Sequence, residues 1–176
     1  PFISKFGQQG RDDGDLEMPW GICIDRSDDI YVADWGNNRV QKFSQDGKLL
    51  MKFEGTTDGL GSLKGPSGVA VDSEGDVYVT DWGNHRVQIY DANGRYITTL
   101  VGDAQEPSIW TQTYINANPE MIKARRRANM EPEWRFRRPV AVNVDTNDRI
   151  VILESARHRM QIYNKLKDYE EHSLNL

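Results

Sequence analysis

Cysteine occurs once in the 176-residue chain, at Cys23, so no internal disulfide can hold the fold and no cysteine cluster can bind a metal. Set among apolar residues of an expected strand, the thiol reads as a buried structural side chain. Long hydrophobic runs are missing as well. No stretch approaches the roughly 20 apolar residues needed to cross a bilayer. Pro1-Phe2-Ile3-Ser4-Lys5-Phe6-Gly7 lacks the basic region, apolar stretch and cleavage site of a signal peptide. A soluble protein with no membrane association is expected. Histidine is scarce, at His85, His158 and His172, and no glycine-rich phosphate loop or paired nucleophile and base is apparent. Positive charge is in the minority, and the net charge of −5 argues against a general polyanion binder.

What the chain does have is a repeat. Pro19-Trp20-Gly21-Ile22-Cys23-Ile24-Asp25 is answered 47 positions later by Pro66-Ser67-Gly68-Val69-Ala70-Val71-Asp72. In the same register, Asp34-Trp35-Gly36-Asn37-Asn38-Arg39-Val40-Gln41 is answered by Asp81-Trp82-Gly83-Asn84-His85-Arg86-Val87-Gln88. A third copy runs from Pro139 to Tyr163, 73 positions after the second, so 26 extra residues lie between them. Periods of this size mark stacked or radial repeats.

Within the second copy, Val69 to Val71, Asp76 to Thr80, Arg86 to Tyr90 and Arg95 to Leu100 read as short strands separated by turn chemistry. Asp46-Gly47 and Asn93-Gly94 read as tight hairpin turns in which both residues take positive φ. Each copy is therefore expected to be a four-stranded antiparallel meander, the blade of an all-β propeller. The signature Asp-Trp-Gly-Asn-x-Arg-Val-Gln, preceded by Pro-x-Gly-(apolar)-x-(apolar)-Asp, resembles the NHL repeat. That resemblance implies a propeller, commonly of six blades. In the third copy Glu154-Ser155-Ala156-Arg157-His158-Arg159 replaces the signature, so this blade is degenerate.

The expected organisation is one domain over residues 1–176, with blades at 19–55, 66–102 and 139–176 and an interblade insertion at 103–138. Phe2-Ile3-Ser4-Lys5-Phe6 matches Leu49-Leu50-Met51-Lys52-Phe53 at the offset of 47, so 2–6 reads as an orphan outer strand. After Tyr163 the tail Lys165 to Glu171 offers no convincing fourth strand. Three blades cannot close a ring when propellers typically need about four to eight. Two chains exchanging the orphan strand would make six, a homodimer; the alternative is that the chain is half of a longer polypeptide.

The acid and arginine of each signature, Asp34 with Arg39, Asp81 with Arg86 and Glu154 with Arg159, are expected to close one hairpin by charge-assisted hydrogen bonds. Trp35 and Trp82 are read as packing between blades. Strand alternation puts the turn between strands two and three on the same face as the insertion. There Asn118 can cap, and Pro119 begin, a helix from Pro119 to Met130, with Met121, Ala124 and Ala128 inward and Lys123, Arg126 and Arg127 outward. Seven basic residues against Glu131 and Glu133 between 123 and 138 lie near Trp110, Tyr114, Trp134 and Phe136. Aromatics mixed with arginines are the composition of binding hot spots.

The expected function is a non-catalytic propeller scaffold that binds a protein or peptide through Trp110, Tyr114, Arg126, Arg127, Trp134 and Phe136, without a cofactor. The same composition suits single-stranded nucleic acid, which some NHL propellers bind. The remaining chain, at −7 once the +2 of residues 103–138 is set apart, speaks against it. The family also resembles zinc-bearing amidating lyases and, more distantly, calcium-dependent lactonase-like propellers. The rival reading is thus a metal-dependent lyase or hydrolase with Zn or Ca in the central channel, for which Asp25, Asp72 and Asp145 are the axial candidates. Their recurrence at strand ends favours turn caps.

Overall fold

The computed structural model describes residues 1–55 and 59–165. Among them are eleven strands in three antiparallel sheets. The first sheet is β1 (Pro19–Ile24), β2 (Ile30–Asp34), β3 (Arg39–Phe43) and β4 (Leu49–Phe53). The second is β5 (Pro66–Val71), β6 (Val77–Asp81), β7 (Arg86–Tyr90) and β8 (Tyr96–Leu100). After α1 (Ile109–Asn116), α2 (Pro119–Arg127) and α3 (Glu131–Trp134), the third sheet is β9 (Pro139–Val144), β10 (Arg149–Glu154) and β11 (Arg159–Asn164). Each sheet is a meander in chain order, with the innermost strands β1, β5 and β9 side by side. These are three blades of a β-propeller.

Period-two alternation gives each blade two apolar faces, and each interface joins one face to the opposite face of the next blade. Tyr31, Ala33, Val40 and Phe53 of the first blade meet Val69, Val77, Val79 and Tyr90 of the second, with Leu63 of the linker between them. Ala70, Tyr78, Val87 and Ile89 then meet Val142, Ile150 and Ile152 of the third, with Phe136. Fully burying side chains of this size contributes roughly 1.5–3 kcal/mol each.

The outermost faces keep the same residue pattern without a neighbouring blade among the described residues. Ile22 and Ile24 stand in the register of Val69 and Val71, yet Ile22 is 69% exposed. Leu153, Met160 and Ile162 occupy the places of Thr80, Val87 and Ile89 and are likewise exposed. The segment 2–6 forms no strand within this chain; Phe6 packs its ring on Phe43 at 5.4 Å, while Phe2 and Ile3 point to solvent. The tail after Lys165 and His172 lie outside the described residues.

The hairpins between strands three and four depart from the expected two-residue turns. Gly47 and Gly94 take positive φ (84° and 79°), whereas Asp46 and Asn93 do not. Gly47 N–H donates to Ser44 O and Ser44 N–H to Lys48 O, with a register shift in β3 at Lys42/Phe43. This is a type I turn followed by a glycine bulge. The Asp91 carboxylate explains the choice in the second blade, because it accepts from Asn93 N–H and Arg95 N–H and holds the turn in the ordinary helical region.

Candidate functional site

One face of the propeller is assembled by the repeated acid and arginine. Arg39 Nε lies 2.9 Å from Asp34 Oδ2 and Arg86 Nε 2.8 Å from Asp81 Oδ2, and Arg159 Nε pairs with Glu154 Oε2. The three carboxylates are buried, and each also accepts a backbone N–H from the segment that leads into its own blade. The donors are Glu17 at 2.7 Å, Lys64 at 2.7 Å and Arg137 at 2.8 Å. The arginines reach further back along the same segment, to Asp15 O (2.9 Å), Ser62 O (2.7 Å) and Arg135 O (3.1 Å). The pair is therefore more than a hairpin clasp: it ties the turn between the second and third strands to the incoming linker. All three blades use the same sequence offsets.

Tryptophans continue this face from blade to blade. Trp20 stacks on Trp35 at 5.4 Å, Trp35 approaches Trp82 at 6.5 Å, and the Arg138 guanidinium covers Trp82 at 5.0 Å. Gly65 lies so close to the Trp35 indole that a Cβ would come within 2.7 Å of its Nε1. At the equivalent place in the third blade stands Arg138, also at positive φ (54°), and its side chain lies over the tryptophan instead.

The insertion rises beside the third turn on a narrow neck. Phe136 N–H donates to Val101 O at 2.8 Å and Ala104 N–H to Trp134 O at 3.2 Å. Counting back from Pro139 shows that Arg135 to Arg138 are ordinary linker, matching Ser62 to Gly65. Phe136 occupies the place of Leu63, is 3% exposed, and packs edge-on against Tyr163. It belongs to the blade core and cannot contact a partner, which corrects its assignment to the binding surface. Alignment of the two linkers backward from the proline carries the signal that identifies it.

Above the neck, α2 ends at Arg127 rather than Met130, with Asn118 Oδ1 accepting from Glu120 and Met121 N–H. Its inward stripe is Met121, Ile122 and Arg125. Ala124 and Ala128 are exposed, and the helix packs on α1. The first helix, capped by Ser108 Oγ, was not legible from its weak apolar period. Helix α1 carries Trp110 (86% exposed) and Tyr114 (65%) one turn apart, with Ile115 buried beneath them. Arg126 and Arg127 are also exposed, whereas Trp134 is half-buried at the neck. Four of the six expected contact residues thus lie at the surface of one insertion.

Between the insertion and the third turn lies a cavity of about 390 Å³ lined by Ser108, Thr111, Arg125, Glu133, Trp134, Arg157, His158 and Met160 among others. Arg125 Nη1 is 3.4 Å from Glu133 Oε2. Arg157 donates from Nη2 to the Pro132 carbonyl, and its Nε is buried without a hydrogen-bond partner among the described residues.

The axial candidates line a groove between the inner strands, but their oxygens are committed. Asp25 accepts from Ser27 and Asp29 N–H and from Tyr31 Oη, and pairs with Lys42 at 3.2 Å. Burial alone would push its carboxyl up, but these donors and the ammonium together hold it below the ordinary range. Asp145 is capped by Asn147 and Arg149 in the same way. Asp72 accepts from Glu74 N–H, Asp76 N–H and Tyr78 Oη. The Lys165 ammonium fills the remaining space at 2.6 Å from Asp72, 2.7 Å from Glu74 and 2.8 Å from Asp76. His85 Nδ1 accepts Arg138 N–H. Among the described residues no group of three or more His, Cys, Asp or Glu side chains is arranged to hold a metal ion, so these residues do not fit an axial Zn or Ca. No helix among them is long and apolar enough to cross a membrane.

The NHL repeat family model matches residues 16–43 and 63–90. The chain is 50% identical over 50 residues to Protein lin-41 of Caenorhabditis elegans, and 56% identical over 39 residues to the E3 ubiquitin-protein ligase TRIM71 of Xenopus tropicalis. These matches cover 28% and 22% of this chain but only 4% and 5% of the relatives, so the chain spans a small part of their length. A Bacteroides thetaiotaomicron protein of unknown function superposes with a TM-score of 0.56 over 85% of this chain and 36% of its own, at 18% identity. The dihydro-heme d1 dehydrogenase NirN does so at 0.53, over 86% and 26%, at 13% identity. Both show the fold alone. With two matched repeats in one register and a third blade built on the same offsets, the chain carries NHL repeats at 16–43 and 63–90 within a β-propeller fold.

Proposed function

We propose that the chain is a non-catalytic scaffold that binds a protein or peptide partner on the face formed by its turns and insertion. The observation that carries this reading is the position of Trp110 and Tyr114, large aromatics held outward on a capped helix that packs against the helix bearing the exposed Arg126 and Arg127. A folding role alone gives no reason to hold them in water; an aromatic surface rimmed by arginine is the usual anchor of an interface. The acids and arginines of the blades, by contrast, are satisfied within the scaffold. Affinity capture followed by mass spectrometry tests the proposal. The variants Trp110→Ala/Tyr114→Ala and Arg126→Ala/Arg127→Ala should each lose the partners of the wild type while keeping its melting temperature. Unchanged capture by both would overturn it.

The finer proposal concerns the ring. The open face of the first blade bears Ile22 and Ile24 in the register that Val69 and Val71 use inside, and the open face of the third bears Leu153, Met160 and Ile162 in the register of Thr80, Val87 and Ile89. A second copy turned by half a circle could join these faces twice and close six blades, with 2–6 of each chain lying along β11 of the other. Sedimentation should then find twice 20.2 kDa, reduced to one chain by Ile22→Asp. A stable monomer of the wild type would sink the dimeric ring.

A further inference from the structure

The cavity between the insertion and the third blade's turn has walls from both, and basic side chains from both. Arg125 comes from α2 and Arg157 from the turn that replaces Trp-Gly-Asn in this blade. Neither is fully used by the chain. The contact of Arg125 with Glu133 is long, with both side chains partly in water, so a better placed acid can displace it. Of the five N–H donors of Arg157, one reaches the Pro132 carbonyl, Nε is buried and unpaired, and no carboxylate neutralises the group among the described residues. Glu106 and Glu133 also stand on the rim. They would oppose a run of phosphates, whereas a single planar carboxylate matches the guanidinium fork. The volume suits one side chain and its flanking backbone, and the start of α1 with its Ser108 cap opens on the same space.

The helix whose start lines the cavity also carries exposed aromatic surface, because Trp110 and Tyr114 project outward from α1. We propose that the cavity is a carboxylate subsite, taking an Asp or Glu side chain of a short linear segment in a partner protein while a neighbouring bulky apolar residue of that segment lies on Trp110 and Tyr114. The proposal rests on the partner-binding reading above and adds to it the chemistry of the partner.

A phage-displayed library of random dodecapeptides, panned against the purified chain, tests it. Enriched sequences should share an acidic residue at fixed spacing from a leucine, isoleucine or aromatic residue. In fluorescence polarisation with an enriched peptide, replacing that acid by its amide should weaken binding by about tenfold or more. Arg157→Gln should do the same without adding to the peptide change, Arg157→Lys should recover part of the loss, and Trp110→Ala should weaken acidic and amidated peptides equally. Because Arg157 also touches Pro132, Arg125→Gln serves as a second variant that disturbs only the contact with Glu133; the melting temperature of both checks the fold.

Enriched peptides that depend on Trp110 but show no acidic preference would overturn the subsite and leave the binding face standing. Equal affinities for wild type, Arg157→Gln and Arg125→Gln would overturn it too. If no peptide enriches, the partner-binding reading itself falls. A single-stranded RNA oligonucleotide that displaces the peptides and binds more tightly, with a steep salt dependence, would replace the acidic segment with nucleic acid.

Discussion

The turns of the second and third blades differ at four of six positions, Asp81-Trp82-Gly83-Asn84-His85-Arg86 against Glu154-Ser155-Ala156-Arg157-His158-Arg159, yet they close the same way. Both put histidine at positive φ (58° and 50°), and both draw the linker onto a buried carboxylate. The contrast lies in the backbone of the turn. A Cβ on Gly83 would meet Lys64 O at 2.7 Å, and with Gly83 N–H donating to that carbonyl at 2.8 Å the second turn winds into a single 3-10 helix. Ala156 has that Cβ, and there the bond slips to Ser155 N–H and Arg138 O at 3.1 Å. The acid and arginine are thus what the fold needs, while Trp-Gly-Asn shapes the surface. Relaxing the latter lets Arg157 turn toward the insertion.

The sharpest way to break this equivalence is to remove the acids. Asp81→Ala leaves Arg86, Asn84 and Lys64 N–H without their acceptor, so urea denaturation should show a loss of about 3 kcal/mol or more. Glu154→Ala should match it to within about 1 kcal/mol, the ordinary scatter of such substitutions; a much smaller loss would mean that the third turn is not held by the same device.

Next in size comes Lys165→Met, expected to cost about 1–3 kcal/mol at neutral pH, since it leaves three carboxylates facing one another. Burial alone would lower the pKa of this lysine, but its bonds to Asp72, Asp76 and Glu74 raise it above the ordinary value. A raised pKa contributes stability that is complete below the unfolded value, about 10.4, and fades as pH climbs through the folded one. The gap between wild type and variant, followed by denaturation from pH 7 to 11, should therefore narrow only at the alkaline end.

Trp82→Ser gives the second turn the third's residue and should cost about 1 kcal/mol through lost contact with Trp35 and Arg138. Smallest is the effect of Asp145→Asn on the acid limb. Bonds from Arg149 N–H and guanidinium and from Asn147 N–H hold the Asp145 carboxyl below its usual range. A depressed pKa contributes stability above the unfolded value of about 3.9 that is lost as pH falls further. Melting curves below pH 4 should be slightly flatter in the variant.

The blades were legible in the sequence because one period repeats both the apolar alternation and the turn residues. What escaped has physical reasons. Asp91, and Ser44 whose Oγ accepts from Lys48 N–H, select the hairpin turn through side-chain bonds that Asn-Gly and Asp-Gly composition does not reveal. In the first blade, Lys42 neutralises Asp25 and Asp29 from within its own sheet. The second blade has Ile89 in that register, and its cation comes instead from Lys165, 93 positions beyond Asp72. No local pattern announces such a loan between blades. Subtracting the repeats locates the insertion together with its linker at 103–138, but aromatic composition alone does not show that Phe136 belongs to the linker and the blade core.

The edge of the insertion has a consequence of its own. Gly102, at φ 87°, lets the chain pass so close to Phe136 that a Cβ would come within 2.4 Å of its backbone nitrogen, and both strands of the neck are bonded there. Once those ends are joined, lengthening the closed loop adds only about 0.6 kcal/mol per doubling. Residues 105–133 therefore form one loop closed at a single junction, touching the third turn through Pro132 and Arg157. A propeller of this kind can acquire, trade or discard a recognition element by recombination at one junction, and a foreign segment spliced between Ala104 and Trp134 would inherit a rigid mount without any blade having to change.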